Sequence, residues 1–168
     1  GPCPAVTIPQ VDLNPFYQWA LEHGEVHPAG WVPPSVPYTP NGGVIWVEGD
    51  TGSITHGPIN GAIIATGDVK LSGTVTVNGD TDTGFAVVSR DGDIDNQSSG
   101  VISGIVYARS GDIIQTANGT LIGSIVVAGS IRKGGVSDII VYTEDVPEPP
   151  GDTPESGGDD VGVGAWTL

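Results

Sequence analysis

Five segments between residues 43 and 142 open alike: Gly43-Val44-Ile45-Trp46-Val47, Gly61-Ala62-Ile63-Ile64-Ala65, Gly84-Phe85-Ala86-Val87-Val88, Gly104-Ile105-Val106-Tyr107-Ala108 and Gly123-Ser124-Ile125-Val126-Val127. Their starts lie 18, 23, 20 and 19 residues apart. Each runs into a turn, at Gly49-Asp50, Gly67-Asp68, Gly92-Asp93, Gly111-Asp112 and Gly129-Ser130. A second short apolar stretch follows the turn (Val69, Ile94, Ile113, Ile131), and most repeats carry a third (Val75 and Val77, Val101, Leu121, Ile139 and Val141). Self-similarity at about 20 residues marks a solenoid, whose units bury their apolar faces only by stacking. No helical segment separates the repeats, which excludes βαβ stacking and leucine-rich repeats. The expected fold is all-β: a short right-handed parallel β-helix of about five coils with one short N-terminal helix docked on it or capping it.

Strand side chains alternate between faces. Aligned on the opening Gly, the second column (Ile45, Ile63, Ala86, Val106, Ile125) and the fourth (Val47, Ala65, Val88, Ala108, Val127) are small and aliphatic and should point inward. The third column, Trp46, Ile64, Val87, Tyr107 and Val126, should point outward, yet it too is apolar. An apolar stripe on an outer face is either covered by another segment or left as a binding surface. The aromatic N-terminal segment (Phe16, Trp19, Trp31) is the natural cover.

The flanks divide the chain further. Gly1-Pro2 reads as the scar of a removed tag. Residues 3–41 hold one helical signal, with Asn14 as cap, Pro15 in the first helical position and Gly24 as a left-handed stop. A Pro-rich connector follows, packing on the body at 42–142. Residues 143–168 form an acidic Pro- and Gly-rich tail. A helix of two to three turns is too short to hold in water alone, so it must dock.

The net charge of -15, with only 5 Lys and Arg residues, repels nucleic acid and disfavours an anionic membrane surface. Neither is expected as a partner. No apolar run is long enough to span a membrane. Cys3 is the single cysteine, so no internal disulfide can form.

The repeated Gly-Asp has a structural reading, in which Gly supplies a positive φ and Asp bonds its own turn. A stack of Asp50, Asp68, Asp93 and Asp112 could also hold cations. The alternation Asp91, Asp93, Asp95 resembles part of an EF-hand loop, but Asn96 and Ile102 stand where Gly and Glu are needed. Asp80 and Asp82 sit in the longest coil and are a second candidate for a loose Ca²⁺ site. No cofactor is expected apart from that cation. His23 and His27 are four apart, but Gly24 interrupts the turn a zinc pair needs. No nucleophile stands beside a base, and stacked turn aspartates alone do not make a glycosidase site. No enzymatic activity is expected.

The segment Val11-Asp12-Leu13-Asn14-Pro15-Phe16-Tyr17-Gln18-Trp19-Ala20, coupled to Gly43 through Asp50 and Gly61 through Asp68, resembles the C-terminal β-solenoid region of PilX-type pilus-assembly proteins of bacteria. The resemblance covers roughly residues 11–142. It implies a minor-pilin-like structural or adhesive module: extracellular, displayed on a type IV pilus-like fibre, with other pilus subunits or a surface glycan as partners. Such proteins carry a hydrophobic N-terminal helix that this sequence lacks. The alternatives are a self-polymerising β-helix of the bactofilin kind and a small carbohydrate-active β-helix.

Overall fold

The computed structural model describes residues 11–116, 118–134 and 138–141, with 133 and 138–141 as backbone only. The expected scar, Cys3 and the acidic tail lie outside the described residues. The elements run α1 (Asn14–Glu22), β1 (Glu25–Pro28), β2 (Val44–Glu48), β3 (Ser53–Ile54), β4 (Ala62–Ala65), β5 (Val69–Gly73), β6 (Phe85–Ser89), β7 (Ile94–Ser98), β8 (Val101–Ser103), β9 (Ile105–Ala108), β10 (Ile113–Gln115), β11 (Thr120–Gly123), β12 (Ile125–Val127), β13 (Ile131–Lys133) and β14 (Asp138–Val141).

The strands form three parallel sheets: β1-β2-β4-β6-β9-β12, β3-β5-β7-β10-β13 and β8-β11-β14. Single bridges extend the third sheet from Ile102 through Val77 and Ile59 to Tyr38. Neighbours within each sheet come from successive coils, so the chain winds as a parallel β-helix with three faces. Among the described residues the first face has six rungs, one more than the Gly-started segments announce. The additional rung is β1, which pairs Glu25 with Ile45, Val26 with Trp46 and His27 with Val47. Part of the segment 3–41, expected to hold only a helix and a connector, is therefore solenoid.

Two apolar clusters result. One fills the tube with Ile45, Val47, Ile63, Ala65, Val69, Leu71, Val106, Ala108 and their neighbours from the other faces. The other lies outside the first face, beneath α1. Each fully buried aliphatic or aromatic side chain contributes about 1.5–3 kcal/mol. On the second face the inward column changes character along the axis. Ile54 and Leu71 give way to Asn96 and Gln115, where the Asn96 Nδ2 donates to Gln115 Oε1 at 2.6 Å.

The ends of α1 differ from expectation. Asn14 is already helical and Leu13 takes the cap position. The capping oxygen belongs to Asp12, whose Oδ1 accepts the Asn14 N–H at 3.0 Å. Gly24 is not left-handed. It is needed for close approach, because a Cβ there would lie 2.8 Å from the Val44 carbonyl oxygen.

Candidate functional site

The outward stripe is assembled almost as expected and is covered. Trp46 pairs with Ile64, Ile64 with Val88, Val88 with Tyr107 and Tyr107 with Val126. Val87 is the exception. A bulge between Phe85 and Val87 shifts the register, so Ala86 and Val87 both face the tube interior and Val88 joins the outer column. Ser89 then takes the inward place opposite Ala65 and Ala108 that Val88 was expected to fill. Its hydroxyl is satisfied there, donating to the Gly67 carbonyl at 2.7 Å.

Leu13, Phe16 and Ala20 of the α1 segment lie on this stripe. Phe16 meets Phe85 edge-on at 5.2 Å, and Tyr17 packs on Trp46 at 5.0 Å. The Trp19 indole donates to the Gly42 carbonyl at 2.9 Å. At the other end of the cover, the Tyr107 hydroxyl accepts the Val11 N–H at 3.1 Å. Trp46, Ile64, Val88 and Tyr107 are buried, leaving only Val126 half-buried. The stripe is thus a second core rather than a free binding surface. Trp31 is not part of the cover. It packs at the end of the tube, stacked on His27 at 4.7 Å.

That end is filled by polar groups. Glu25 and His27 occupy inward positions of the first rung, where later rungs carry aliphatics. His27 Nε2 and Glu25 Oε1 are 2.8 Å apart. The Tyr38 hydroxyl donates to the same carboxylate oxygen, and the Asn41 N–H donates to Oε2 at 2.9 Å. Burial pulls the Glu25 carboxyl upward, but the hydrogen bonds from Tyr38, His27 and Asn41 together hold it below the ordinary value of 4.5. Burial and the adjacent Glu25 charge push Tyr38 up to about 12.

A pKa that differs between the folded and unfolded chain makes stability depend on pH. A depressed carboxyl contributes stability above its unfolded value and loses it as pH falls below about 4.5. A raised phenol contributes below 10.0 and loses it as pH rises toward about 12. Tyr38→Phe should raise the Glu25 pKa and remove the alkaline loss. A pH series of thermal melts on both proteins checks this, and identical profiles would contradict the assigned roles.

The Gly-Asp turns form a ladder between coils. Asp50 Oδ1 accepts the Asp68 N–H, Asp68 Oδ1 the Asp93 N–H, Asp93 Oδ1 the Asp112 N–H and Asp112 Oδ1 the Ser130 N–H, each at 2.8 Å. Arg132 ends the stack 3.2 Å from Asp112. The carboxylates bond the next coil, not their own turn. The glycines at 67, 92, 111 and 129 do not have positive φ. They leave room for the preceding carboxylate, which a Cβ at Gly67 would approach to 2.2 Å.

Gly67→Ala should therefore be destabilising, and Asp50→Ala should relieve part of that cost. A coupling of about 0.5–3 kcal/mol is expected from the double-mutant cycle, measured by denaturant unfolding. Strict additivity would show that the two residues do not constrain each other.

The proposed calcium ligands are dispersed. Asp80 closes its own turn by accepting the Thr83 N–H at 3.0 Å and hydroxyl at 2.9 Å, with Asp82 exposed beside it. Asp91 pairs with Arg90 at 2.8 Å, Asp93 belongs to the ladder, and Asp95 accepts from Gln97 at 3.0 Å. Among the described residues no three His, Cys, Asp or Glu side chains come together as a metal site.

A cleft that the column alignment missed lies beside the start of α1. It has a volume of about 360 Å³ and is lined by Asp12, Leu13, Asn14, Trp46, Arg90, Asp91 and Arg109. Arg90 and Arg109 directly follow Ser89 and Ala108, which pair across β6 and β9. They therefore occupy equivalent places in adjacent coils. The signal in the sequence is Ser89-Arg90 and Ala108-Arg109, one residue beyond the apolar columns. Trp46 is 2% exposed, and its Nε1 has no hydrogen-bond partner among the described residues.

No protein family, curated protein or solved structure matches the chain.

Proposed function

We propose that the chain is a non-enzymatic structural or adhesive module displayed on the bacterial surface, carried on a type IV pilus-like fibre in the manner of a minor pilin. The observation that carries this reading is the polar, aromatic first rung. Glu25 and His27 face inward there, covered by Trp31 and Tyr38. An open rung would offer a second copy an apolar, strand-pairing end. A polar, aromatic end favours a discrete displayed body over a head-to-tail filament. The ladder supports the non-enzymatic part, since the Asp50, Asp68, Asp93 and Asp112 carboxylates are engaged in holding coils together.

Antibody labelling of intact bacterial cells is expected to decorate the outer surface, along fibres. Label confined to permeabilised cells would overturn the reading. Electron microscopy of the purified chain is expected to show single particles. Filaments would favour the bactofilin-like alternative, and calcium-dependent turnover of polyuronates would favour the carbohydrate-active one.

A further inference from the structure

The cleft at the start of α1 has features that stability alone does not require. The protein carries 5 basic residues against 20 acidic ones, yet two of those five, Arg90 and Arg109, line this one depression. They sit in adjacent rungs of a parallel sheet, where neighbouring strands are about 4.8 Å apart. Stacking two cations at that spacing is unfavourable unless negative charge lies nearby. Asp91 supplies some, holding Arg90 through Nε at 2.8 Å, and Arg109 has a contact of its own within the fold. A guanidinium bonded through Nε keeps further N–H donors in its fork.

Trp46 points to a ligand independently of the arginines. A buried polar hydrogen without a partner costs about 1–3 kcal/mol. The indole N–H of Trp46 is such a group, on a side chain that helps to line the cleft. Asn14 and the first turn of α1 lie at the same place. This helix has 9 residues; its first N–H groups are already bonded to Asp12 and the Leu13 carbonyl, so only its dipole adds to the preference for negative charge.

The acceptors limit what can bind. Asp12 and Asp91 line the cleft together with the arginines. A polyanion would be repelled by them and by the net charge of -15. A ligand with one carboxylate and several hydroxyls would meet both sets of groups. Its carboxylate can take guanidinium N–H donors in the bidentate geometry arginine favours, while its hydroxyls donate to Asp12 and Asp91. A volume of about 360 Å³ is at the small end of ligand sites, which suits a single sugar ring and not a polymer segment.

We propose that the cleft formed by Asp12, Asn14, Trp46, Arg90, Asp91 and Arg109 binds a monocarboxylate sugar of the uronic acid class. This deepens the adhesive reading by naming the class of ligand, and in that sense rests on it. The binding test uses the isolated chain, so its outcome is separate from that of surface labelling.

The probe is glucuronate, titrated into the ¹⁵N-labelled chain while the tryptophan indole N–H signals are followed. A saturable shift of the Trp46 signal is expected with glucuronate, with a much weaker response to glucose or acetate. Arg90→Gln combined with Arg109→Gln should weaken binding about tenfold or more with the melting temperature preserved. Should that pair disturb folding, the exposed Asn14→Asp places another carboxylate at the cleft and should weaken binding alone. No saturable shift at tens of millimolar glucuronate would overturn the proposal. So would an equal response to acetate, or binding that survives both sets of substitutions in folded protein.

Discussion

Phe16→Ala is expected to destabilise the protein by about 3–5 kcal/mol and to expose the apolar stripe of the first face. The Phe16 ring is fully buried and stands edge-on to Phe85, which in turn stacks on Tyr107 at 6.2 Å. Truncation removes the central contact between α1 and the sheet and leaves a cavity the helix cannot close without moving. A helix of 9 residues holds its shape only while docked, so part of the loss should appear as local detachment. Chemical denaturation gives the global cost. Hydrogen exchange at α1, with binding of an apolar dye, reports detachment. A cost below about 1 kcal/mol with unchanged exchange would mean that α1 does not secure the stripe.

Gly111→Ala is expected to cost about 3 kcal/mol. A Cβ at this position would lie 2.2 Å from the Gly92 carbonyl oxygen and 2.4 Å from Asp93 Oδ1. One obstacle is backbone, and the other is the carboxylate that accepts the Asp112 N–H. Neither can retreat without disturbing a neighbouring coil. Gly134→Ala is the matched control, because the nearest atoms to its added Cβ lie at 3.7 Å. It should stay within about 0.5 kcal/mol of the parent. Equal costs for the two substitutions, by denaturant unfolding, would refute the close-approach argument.

The solenoid was legible because its two periods coincide in the sequence. Apolar residues alternate within each strand, and the opening Gly returns about every 20 residues. What failed was anything that depends on register or on contacts between coils. Counting from Gly84 puts Val87 on the outer face. The extra residue in the bulge sends it inward and places Val88 beneath the cover, and no residue type there announces a bulge. The first rung was hidden because Glu25 and His27 are polar at positions that are apolar in later coils. The Gly-Asp turns are plain in the sequence, but their chemistry spans two coils and cannot be read within one. The aspartate alternation suggested a cation loop, yet its carboxylates go to Arg90, to the ladder and to Gln97.

Gly104 and Gly123 have nearly the same backbone angle, with φ of 133° and 131°, and the strands that follow them pair in register as Val106 with Ile125 and Tyr107 with Val126. Residues 104–122 are therefore one interchangeable unit of length. A tandem copy of that stretch should lengthen the axis by about 4.8 Å without altering either terminal rung. The separation between the first and last described rungs is therefore counted in whole coils and changes only in steps of one strand.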